Sequence, residues 1–313
     1  MFFDIQINGC WGVDFNSLHL NQEQWDFANS QLTADGTQYY LPTIITDDSE
    51  SMISKIDRLA SLIEIQSKVS DAAEIGKAIS RPVGIHIEGP FISREQGYVG
   101  AHPAEHAKLA NIELAKRLID AGRGLIKLVT LAPEQDPKAE LTNYLSKKGI
   151  CVAAGHTNAT RDQLVEALDN GLRLFTHLGN GCPPNLARHD NILNRVLSLR
   201  DRIHVSLIAD GYHLPLWLLK SWIDWFGVER VSIISDAISA AGLSPGLHTL
   251  GNQNVLVGED GVPRSEDQTH FVGSGTTLGQ MNQILKSKIN ISDQERQRML
   301  FANPWQLIFG DNC

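Results

Sequence analysis

Short apolar runs recur along the chain, separated by segments long enough to hold a helix. Runs of this kind are typical of parallel strands buried on both faces, because such strands are apolar throughout rather than alternating. The first is FDIQI near the N-terminus, and VSIIS is the last. In numbers, the runs cover residues 2–8, 37–45, 82–89, 125–133, 150–157, 173–180, 204–213 and 231–237. The pattern predicts eight parallel strands.

Amphipathic stretches lie between these runs. Residues 108–121 have helical periodicity, and residues 160–170 end at Gly171, as a helix terminus would. Strands that alternate with helices favour an α/β fold, a closed (β/α)₈ TIM-type barrel, over an open doubly wound sheet. No G-x-G-x-x-G motif follows the first run, which argues against a dinucleotide-binding sheet.

The segment after the eighth run is less regular. Residues 238–275 are rich in Gly, Pro, Asn and Asp and predict a long loop or hairpin. A helix is expected from Thr276, and Ser292 with Glu295 forms a capping box for a final helix. We therefore expect one catalytic barrel domain over residues 1–313, with an insertion at about 238–275 and C-terminal helices.

Composition and charge narrow the classes of function. With 313 residues, 42% of them hydrophobic, the chain has the composition of a globular protein. The formal net charge is −9 and no Lys/Arg run stands out, so a nucleic-acid partner is not expected. No apolar stretch approaches the roughly 18 residues of a membrane span, and the N-terminus has no basic leader, so we expect a cytoplasmic protein. The scattered cysteines are given no chemistry.

Titratable residues fall where the predicted strands end. In barrels of this type the carboxyl ends of all strands meet at one mouth, where the chemistry takes place. Six titratable residues occupy such ends, which predicts one polar site at this rim: Glu88, His156, His177, Asp210, His213 and Asp236.

Three of these residues suggest a metal. Glu88 follows an apolar run, where an ionised carboxylate needs a compensating charge. Alone, such a glutamate more often pairs with an arginine or caps a helix, and a lone histidine is more often a core residue. Together, Glu88, His156 and His177 match a catalytic zinc set with an open position, which can bring bound water to a pKa of about 7. Fe²⁺, Mn²⁺ and Co²⁺ remain alternatives.

The other candidates surround this set. Asp236 can accept a proton from metal-bound water and return it to a leaving nitrogen, or it can cap a helix. His102, on the loop after the third strand, could reach a substrate carbonyl, and Arg188 could meet an anion. His86, two residues before Glu88, is expected one layer deeper in the barrel.

At these positions the sequence resembles a known family. The segments DIQINGCWGVDF, HIEGPFIS, GAH, TLAPE, GHTNAT, THLGN, IADGYH and SDA occur in the order seen in the N-acetylglucosamine-6-phosphate deacetylases of the amidohydrolase superfamily. The resemblance runs from about residue 4 to about residue 305.

This resemblance implies a role for each residue. Glu88, His156 and His177 would bind one divalent metal, Asp236 would shuttle the proton and His102 would polarise the acetamide carbonyl. The remaining residues would contact the sugar and its phosphate: Asn180, Gly181, Arg188, His213, Phe271, Val272 and Gly273.

The chain also departs from the family pattern. Many superfamily members carry His-x-His at the end of the first strand for a second metal, whereas this chain has Gln6-Ile7-Asn8, which predicts one tightly bound metal. Family members normally have a small β-sandwich beside the barrel, and we expect this chain to lack it. THLGNGCPP also lacks the Met usual in the family, a change that could reshape the sugar pocket.

The resemblance therefore implies a metal-dependent hydrolase that converts N-acetylglucosamine 6-phosphate to glucosamine 6-phosphate and acetate. An amidohydrolase for another N-acyl amino sugar, an N-acyl amino acid or a cyclic amide is the alternative. A barrel that has lost catalysis would lack a ligand or the base, and none is missing. The expected partners are a phosphorylated amino sugar and, since barrels often cover exposed surface by pairing, a second copy of the chain.

Overall fold

The computed structural model describes residues 1–72, 79–250, 253–266 and 273–310. Eight parallel strands pair in chain order, which confirms the predicted TIM-type barrel. Backbone hydrogen bonds join the last strand to the first, from Asp236 N to Gln6 O (3.0 Å) and from Asn8 N to Ala237 O (2.8 Å). The strands, β1 to β8, are Phe2–Ile7, Thr37–Ile45, Ile85–Glu88, Ile126–Leu131, Cys151–Ala154, Leu172–Phe175, His204–Ile208 and Val231–Ile234.

Ten α-helices occur within the described ranges, most of them around the barrel. A π-helix, Arg298–Ala302, joins the last two. No helix in the described ranges is both long enough and apolar enough to cross a bilayer. The helices, α1 to α10, are Gln22–Asp35, Ser49–Ala72, Ile112–Ala121, Glu140–Lys147, Arg161–Asp169, Ile192–Leu197, Leu216–Phe226, Leu278–Lys288, Asp293–Gln297 and Asn303–Phe309.

Helix boundaries follow side-chain caps. The helix predicted over 108–121 begins only at Ile112, because the Asn111 side chain accepts the Leu114 N–H at 2.9 Å and ends the preceding loop there. The helix expected from Thr276 begins at Leu278, since Thr277 forms the capping box. The predicted capping box of Ser292 and Glu295 is present.

A small antiparallel sheet lies within the segment predicted to be a loop or hairpin. Its strands, β9 to β11, are Gly246–Leu250, Gln253–Val257 and Pro263–Ser265. Two-residue strands also occur: Gly9–Cys10 pairs with Val13–Asp14, and Arg81–Pro82 pairs with β2.

The amino ends of the strands are covered by aromatic side chains. Trp305 of α10 packs on Phe3 and Tyr39, with ring centroids 5.8 and 5.1 Å apart, and on Phe309 at 4.7 Å. The carboxyl ends are left for polar groups. His86 lies between the two ends and is fully buried, one layer deeper in the barrel than Glu88, as predicted. Its ring nitrogens lie 3.2 Å from Thr43 Oγ1 and 2.8 Å from Thr130 Oγ1.

Candidate metal centre

Four polar side chains reach the mouth of the barrel from strand ends. Glu88 is the last residue of β3, and His156, His177 and Asp236 each lie two residues beyond β5, β6 and β8. Those three share a left-handed backbone, with φ of 51°, 32° and 45°. A non-glycine residue in this region is strained by about 1–3 kcal/mol, and such strain concentrates at functional sites. The turns end the strands earlier than their apolar runs suggested and aim the side chains inward.

Glu88, His156 and His177 converge on one point. Glu88 Oε1 lies 2.9 Å from His177 Nε2 and 3.2 Å from His156 Nε2, and the two Nε2 atoms are 3.1 Å apart. All three residues are buried, with their ligand atoms within 4.8 Å of one another. Within the described part of the chain this is the one cluster whose geometry could hold a metal ion.

The protonation of these residues fits a cation. His156 Nδ1 lies 2.9 Å from the Tyr98 carbonyl oxygen, so Nδ1 must carry the hydrogen and, in the neutral ring, Nε2 presents a lone pair to the cluster. That lone pair faces Glu88 Oε1 at 3.2 Å and His177 Nε2 at 3.1 Å, which is how ligand atoms are arranged around a metal ion. Although burial raises the pKa of Glu88, the two histidines outweigh it and hold that pKa well below its usual range. A carboxylate and two imidazoles are suitable ligands for a divalent transition metal.

Two glycines fit against the His156 ring. A Cβ added to Gly100 would lie 2.9 Å from His156 Cε1, and one added to Gly181 would lie 2.9 Å from Nδ1. Both glycines have positive φ, of 61° and 62°. Larger residues at these positions would push the ring out of the cluster.

Asp236 lies beside this cluster, linked to it by the amides of β1. Its Oδ1 accepts hydrogen bonds from Asn8 Nδ2 at 2.9 Å and from Gln6 Nε2 at 3.2 Å. Gln6 Nε2 also donates to Glu88 Oε1 at 3.0 Å. Burial, and then the charge of Glu88, raises the pKa of Asp236. A carboxylate in this position can accept and release a proton at a neighbouring atom.

His102 completes the ring of imidazoles. Its Nδ1 accepts the Thr46 backbone N–H at 3.3 Å, so Nε2 carries the hydrogen in the neutral ring. This Nε2 lies 3.2 Å from His156 Nε2 and 3.9 Å from Glu88 Oε2. Burial, together with the neighbouring His156, lowers the pKa of His102 to about 3. His102 is therefore a neutral donor aimed at the cluster.

Asp210 and His213 form a pair after β7. Asp210 Oδ2 lies 2.6 Å from His213 Nδ1, and its Oδ1 accepts the backbone N–H groups of Tyr212 and His213, each at 2.9 Å. Burial lowers the pKa of His213, but the bond to Asp210 outweighs it and the net shift is upward. Asp210 therefore fixes the orientation of the His213 ring and favours its protonated form.

The remaining predicted sugar contacts lie on loops. Asn180 donates through Nδ2 to the His177 carbonyl oxygen at 3.3 Å, next to Gly181. Arg188 is exposed on the same loop, and its guanidinium has no charged partner among the described residues. Gly273 adjoins Ile238, which a Cβ there would meet at 2.5 Å, while Phe271 and Val272 lie outside the described residues.

Some supporting groups were not anticipated from the sequence. The Tyr98 carbonyl and the Thr46 N–H fix two imidazoles, and backbone groups of this kind leave no mark on residue type. Glu134, in the segment TLAPE, holds the loop that carries His156 by accepting from the Asn158 N–H at 2.8 Å and from the Thr157 hydroxyl. A carboxylate at the end of β4 was the one available sequence signal for that role.

Comparison with curated proteins finds sugar-phosphate deacetylases. The chain is 31% identical over 277 residues to N-acetylglucosamine-6-phosphate deacetylase of Bacillus subtilis, a match that covers 88% of this chain and 65% of the relative. It is 30% identical over 315 residues to N-acetylgalactosamine-6-phosphate deacetylase of a Shewanella species, covering 98% of this chain and 73% of that protein. The chain thus spans about two-thirds of the length of these relatives. No family model matches the chain.

A solved structure agrees with the sequence comparison. A mutant N-acetyl-D-glucosamine-6-phosphate deacetylase from Mycobacterium smegmatis, in complex with N-acetyl-D-glucosamine-6-phosphate, superposes with a TM-score of 0.83 at 27% identity. The match covers 98% of this chain and 76% of the mycobacterial chain.

Proposed function

Because the chain belongs to the N-acetylglucosamine-6-phosphate deacetylase family of the amidohydrolase superfamily, we propose that it hydrolyses the acetamide of N-acetylglucosamine 6-phosphate. The products are glucosamine 6-phosphate and acetate. The observation that carries the proposal is the convergence of Glu88, His156 and His177 within 4.8 Å, with the carboxylate of Asp236 hydrogen-bonded to the same Gln6 amide as Glu88.

One divalent metal is held by Glu88, His156 and His177. Zn²⁺ suits this set best, while Fe²⁺, Mn²⁺ and Co²⁺ accept the same ligands. When bound, such an ion polarises an amide carbonyl and lowers the pKa of water. Gln6 and Asn8 direct their NH₂ groups toward carboxylates, an orientation that suits one metal rather than two.

Asp236 accepts and then donates the proton. Its carboxylate takes a proton from the attacking water as the new carbon–oxygen bond forms at the acetamide carbonyl, and returns that proton to the nitrogen as the carbon–nitrogen bond breaks.

The developing oxyanion is stabilised by His102. Because the Thr46 N–H occupies Nδ1, the Nε2–H of the neutral ring is available to donate to the carbonyl oxygen. A preorganised donor of this kind strengthens as charge develops on the oxygen.

The sugar contacts are proposed from the loops. Asn180 and Gly181 bind the sugar next to His156, and Gly273 is a further proposed contact, while the predicted contacts Phe271 and Val272 lie outside the described residues. His213, held by Asp210, and Arg188 bind the phosphate or the nearby hydroxyls. Arg188 is cationic, and Asp210 raises the pKa of His213, so both side chains suit a phosphorylated sugar better than a neutral one.

N-acetylgalactosamine 6-phosphate is the second candidate substrate. The Shewanella relative named for that sugar aligns with 98% of this chain at 30% identity. The two sugars differ at one hydroxyl, so the same metal centre and proton shuttle serve either.

Acetate release tests the proposal. The protein is loaded with Zn²⁺ and given N-acetylglucosamine 6-phosphate, N-acetylgalactosamine 6-phosphate and unphosphorylated N-acetylglucosamine in parallel. We expect turnover of a phosphorylated sugar and little of the neutral one. The matched variant, His156→Asn, loses one ligand and is expected to lose both bound metal and activity. A metal-loaded wild type that releases acetate from none of the three sugars contradicts the deacetylase assignment.

A further inference from the structure

Two neutral amides at the end of β1 contact the proposed proton shuttle. Asn8 Nδ2 donates to Asp236 Oδ1 at 2.9 Å, and Gln6 Nε2 donates to the same oxygen at 3.2 Å. Both bonds fall on Oδ1. Among the described residues, no hydrogen bond reaches Oδ2 of Asp236, so the two oxygens of one carboxylate are in different environments.

The orientation of the Gln6 amide is fixed from its other side. Gln6 Oε1 accepts a hydrogen bond from the Thr176 hydroxyl, which also meets Ser206 Oγ at 3.2 Å. Ser206 Oγ in turn accepts the His177 N–H at 2.9 Å. Because the carbonyl oxygen of Gln6 is committed to Thr176, its NH₂ group must face the carboxylates, where it bridges Asp236 and Glu88.

We propose that Gln6 and Asn8 are positioning residues that hold Asp236 by Oδ1 and leave Oδ2 as the oxygen that transfers the proton. A carboxylate turns freely about its last torsion unless hydrogen bonds fix it, and bonds to an ionised acceptor are the stronger kind. Fixing one oxygen keeps the other aligned with the water and the nitrogen throughout the reaction. This inference rests on the proposed function, which supplies the proton transfer.

The two amides differ in what else they touch. Asn8 bonds to Asp236, whereas Gln6 bonds to Asp236 and also to the ligand Glu88 at 3.0 Å. Loss of the Asn8 amide should therefore affect proton transfer alone. Loss of the Gln6 amide should also loosen the metal, because the ligand carboxylate loses a donor that orients it.

The experiment compares Asn8→Ala and Gln6→Met with the control Asn16→Ala. Asn16 lies in the same segment and makes two bonds to backbone, Nδ2 to Thr43 O at 2.9 Å and Oδ1 from Ile45 N at 3.0 Å, but touches neither carboxylate. For Asn8→Ala we expect kcat to fall by about 10- to 100-fold with KM and metal content unchanged. For Gln6→Met we expect a similar loss of kcat and faster removal of metal by a chelator. Asn16→Ala should keep both.

Each outcome decides the matter. An Asn8→Ala variant with the kcat of Asn16→Ala overturns the role of Asn8, and a raised KM at unchanged kcat makes Asn8 a substrate contact instead. Wild-type resistance to the chelator in Gln6→Met overturns the effect of Gln6 on the ligand Glu88 without any activity assay, and a kcat equal to that of Asn16→Ala overturns its role at Asp236. If Gln6→Met does not fold, Thr176→Val, which frees the Gln6 amide, should reproduce its effects more weakly. A wild type inactive on every sugar is a failure of the proposed function, and chelator resistance still tests Gln6.

Discussion

The two ends of the barrel strands carry different kinds of side chain. At the carboxyl ends, the buried polar side chains of Glu88, His156 and His177 face one another within hydrogen-bonding distance, and the two histidines have a left-handed backbone. At the amino ends, Phe3, Tyr39 and Trp305 pack edge to face and bury apolar surface. The first arrangement costs stability and the second supplies it, so activity and stability should respond to substitution at opposite ends of the same strands.

The largest effect is expected at the carboxyl ends, from Asp236→Asn. Removing the proton acceptor should lower kcat by about 10²- to 10⁴-fold, equivalent to roughly 3–5 kcal/mol. The free energy of unfolding should stay the same or rise, because a carboxylate beside Glu88 is removed while an oxygen remains to accept the Asn8 bond. Acetate release and urea unfolding measure the two quantities. The control Asp224→Asn breaks an exposed pair with Lys220 and should change neither.

The next effect is expected at the amino ends, from Trp305→Ala. Loss of this ring from its contacts with Phe3 and Tyr39 should lower the free energy of unfolding by about 3 kcal/mol. The kcat and metal content of the folded fraction should be unchanged. Trp217→Ala is the control, since that side chain is 71% exposed and should have little effect. A loss of kcat in Trp305→Ala would contradict the separation of the two ends.

A smaller effect sharpens the comparison, through Gly181→Ala. The new Cβ would lie 2.9 Å from His156 Nδ1 on a backbone with φ of 62°. The left-handed backbone alone should cost about 1–2 kcal/mol of stability, and the displaced ring should weaken metal binding by about tenfold. Gly149→Ala is the control, because its φ is 75° and no atom lies within 4 Å of the added Cβ. Equal metal affinity in the two variants would rule out steric support of His156 by Gly181.

An effect that depends on pH is expected between the two ends, at Asp4. Burial raises the pKa of this carboxyl from 3.8 to about 7, despite hydrogen bonds from Ser235 and Gln6. Since the folded chain holds this proton more tightly than the unfolded chain, stability falls as the pH rises from about 4 to about 7, by at most roughly 1.4 kcal/mol per unit. Asp4→Asn should lack this contribution. Urea unfolding of the metal-free wild type and variant across that range measures it, and parallel pH curves would contradict the raised pKa.

Much of the barrel could be predicted from the sequence because its strands are apolar throughout. The apolar runs of β2 and β8 could be recognised in the sequence for this reason. The capping box of Ser292 could be recognised because its two residues are close together in the sequence. The geometry of the candidate metal centre was harder to predict from the sequence. Residue type identified His156 and His177 as candidates, but not the positive φ that ends their strands nor the backbone carbonyl of Tyr98 that sets the tautomer of His156.

Gln6 is a second residue whose role in the site could not be predicted from the sequence. The sequence indicated that an amide is a poor metal ligand, which is a statement about one residue. Its bridge between Glu88 and Asp236 depends on strands that are 82 and 230 residues away along the chain. Tertiary pairing of this range has no local pattern, so the hydrogen bonds could be read only from the folded barrel.

The left-handed turns at His156, His177 and Asp236 have a consequence for how the protein evolves. Glycine adopts such turns without strain, so selection for heat resistance alone would favour replacing all three with glycine. A chain selected for stability alone would lose two proposed metal ligands and the proposed proton shuttle while its stability rises. Passaging the gene under thermal challenge, with no demand for turnover, should therefore collect substitutions at these three codons early, whereas a demand for turnover should keep them.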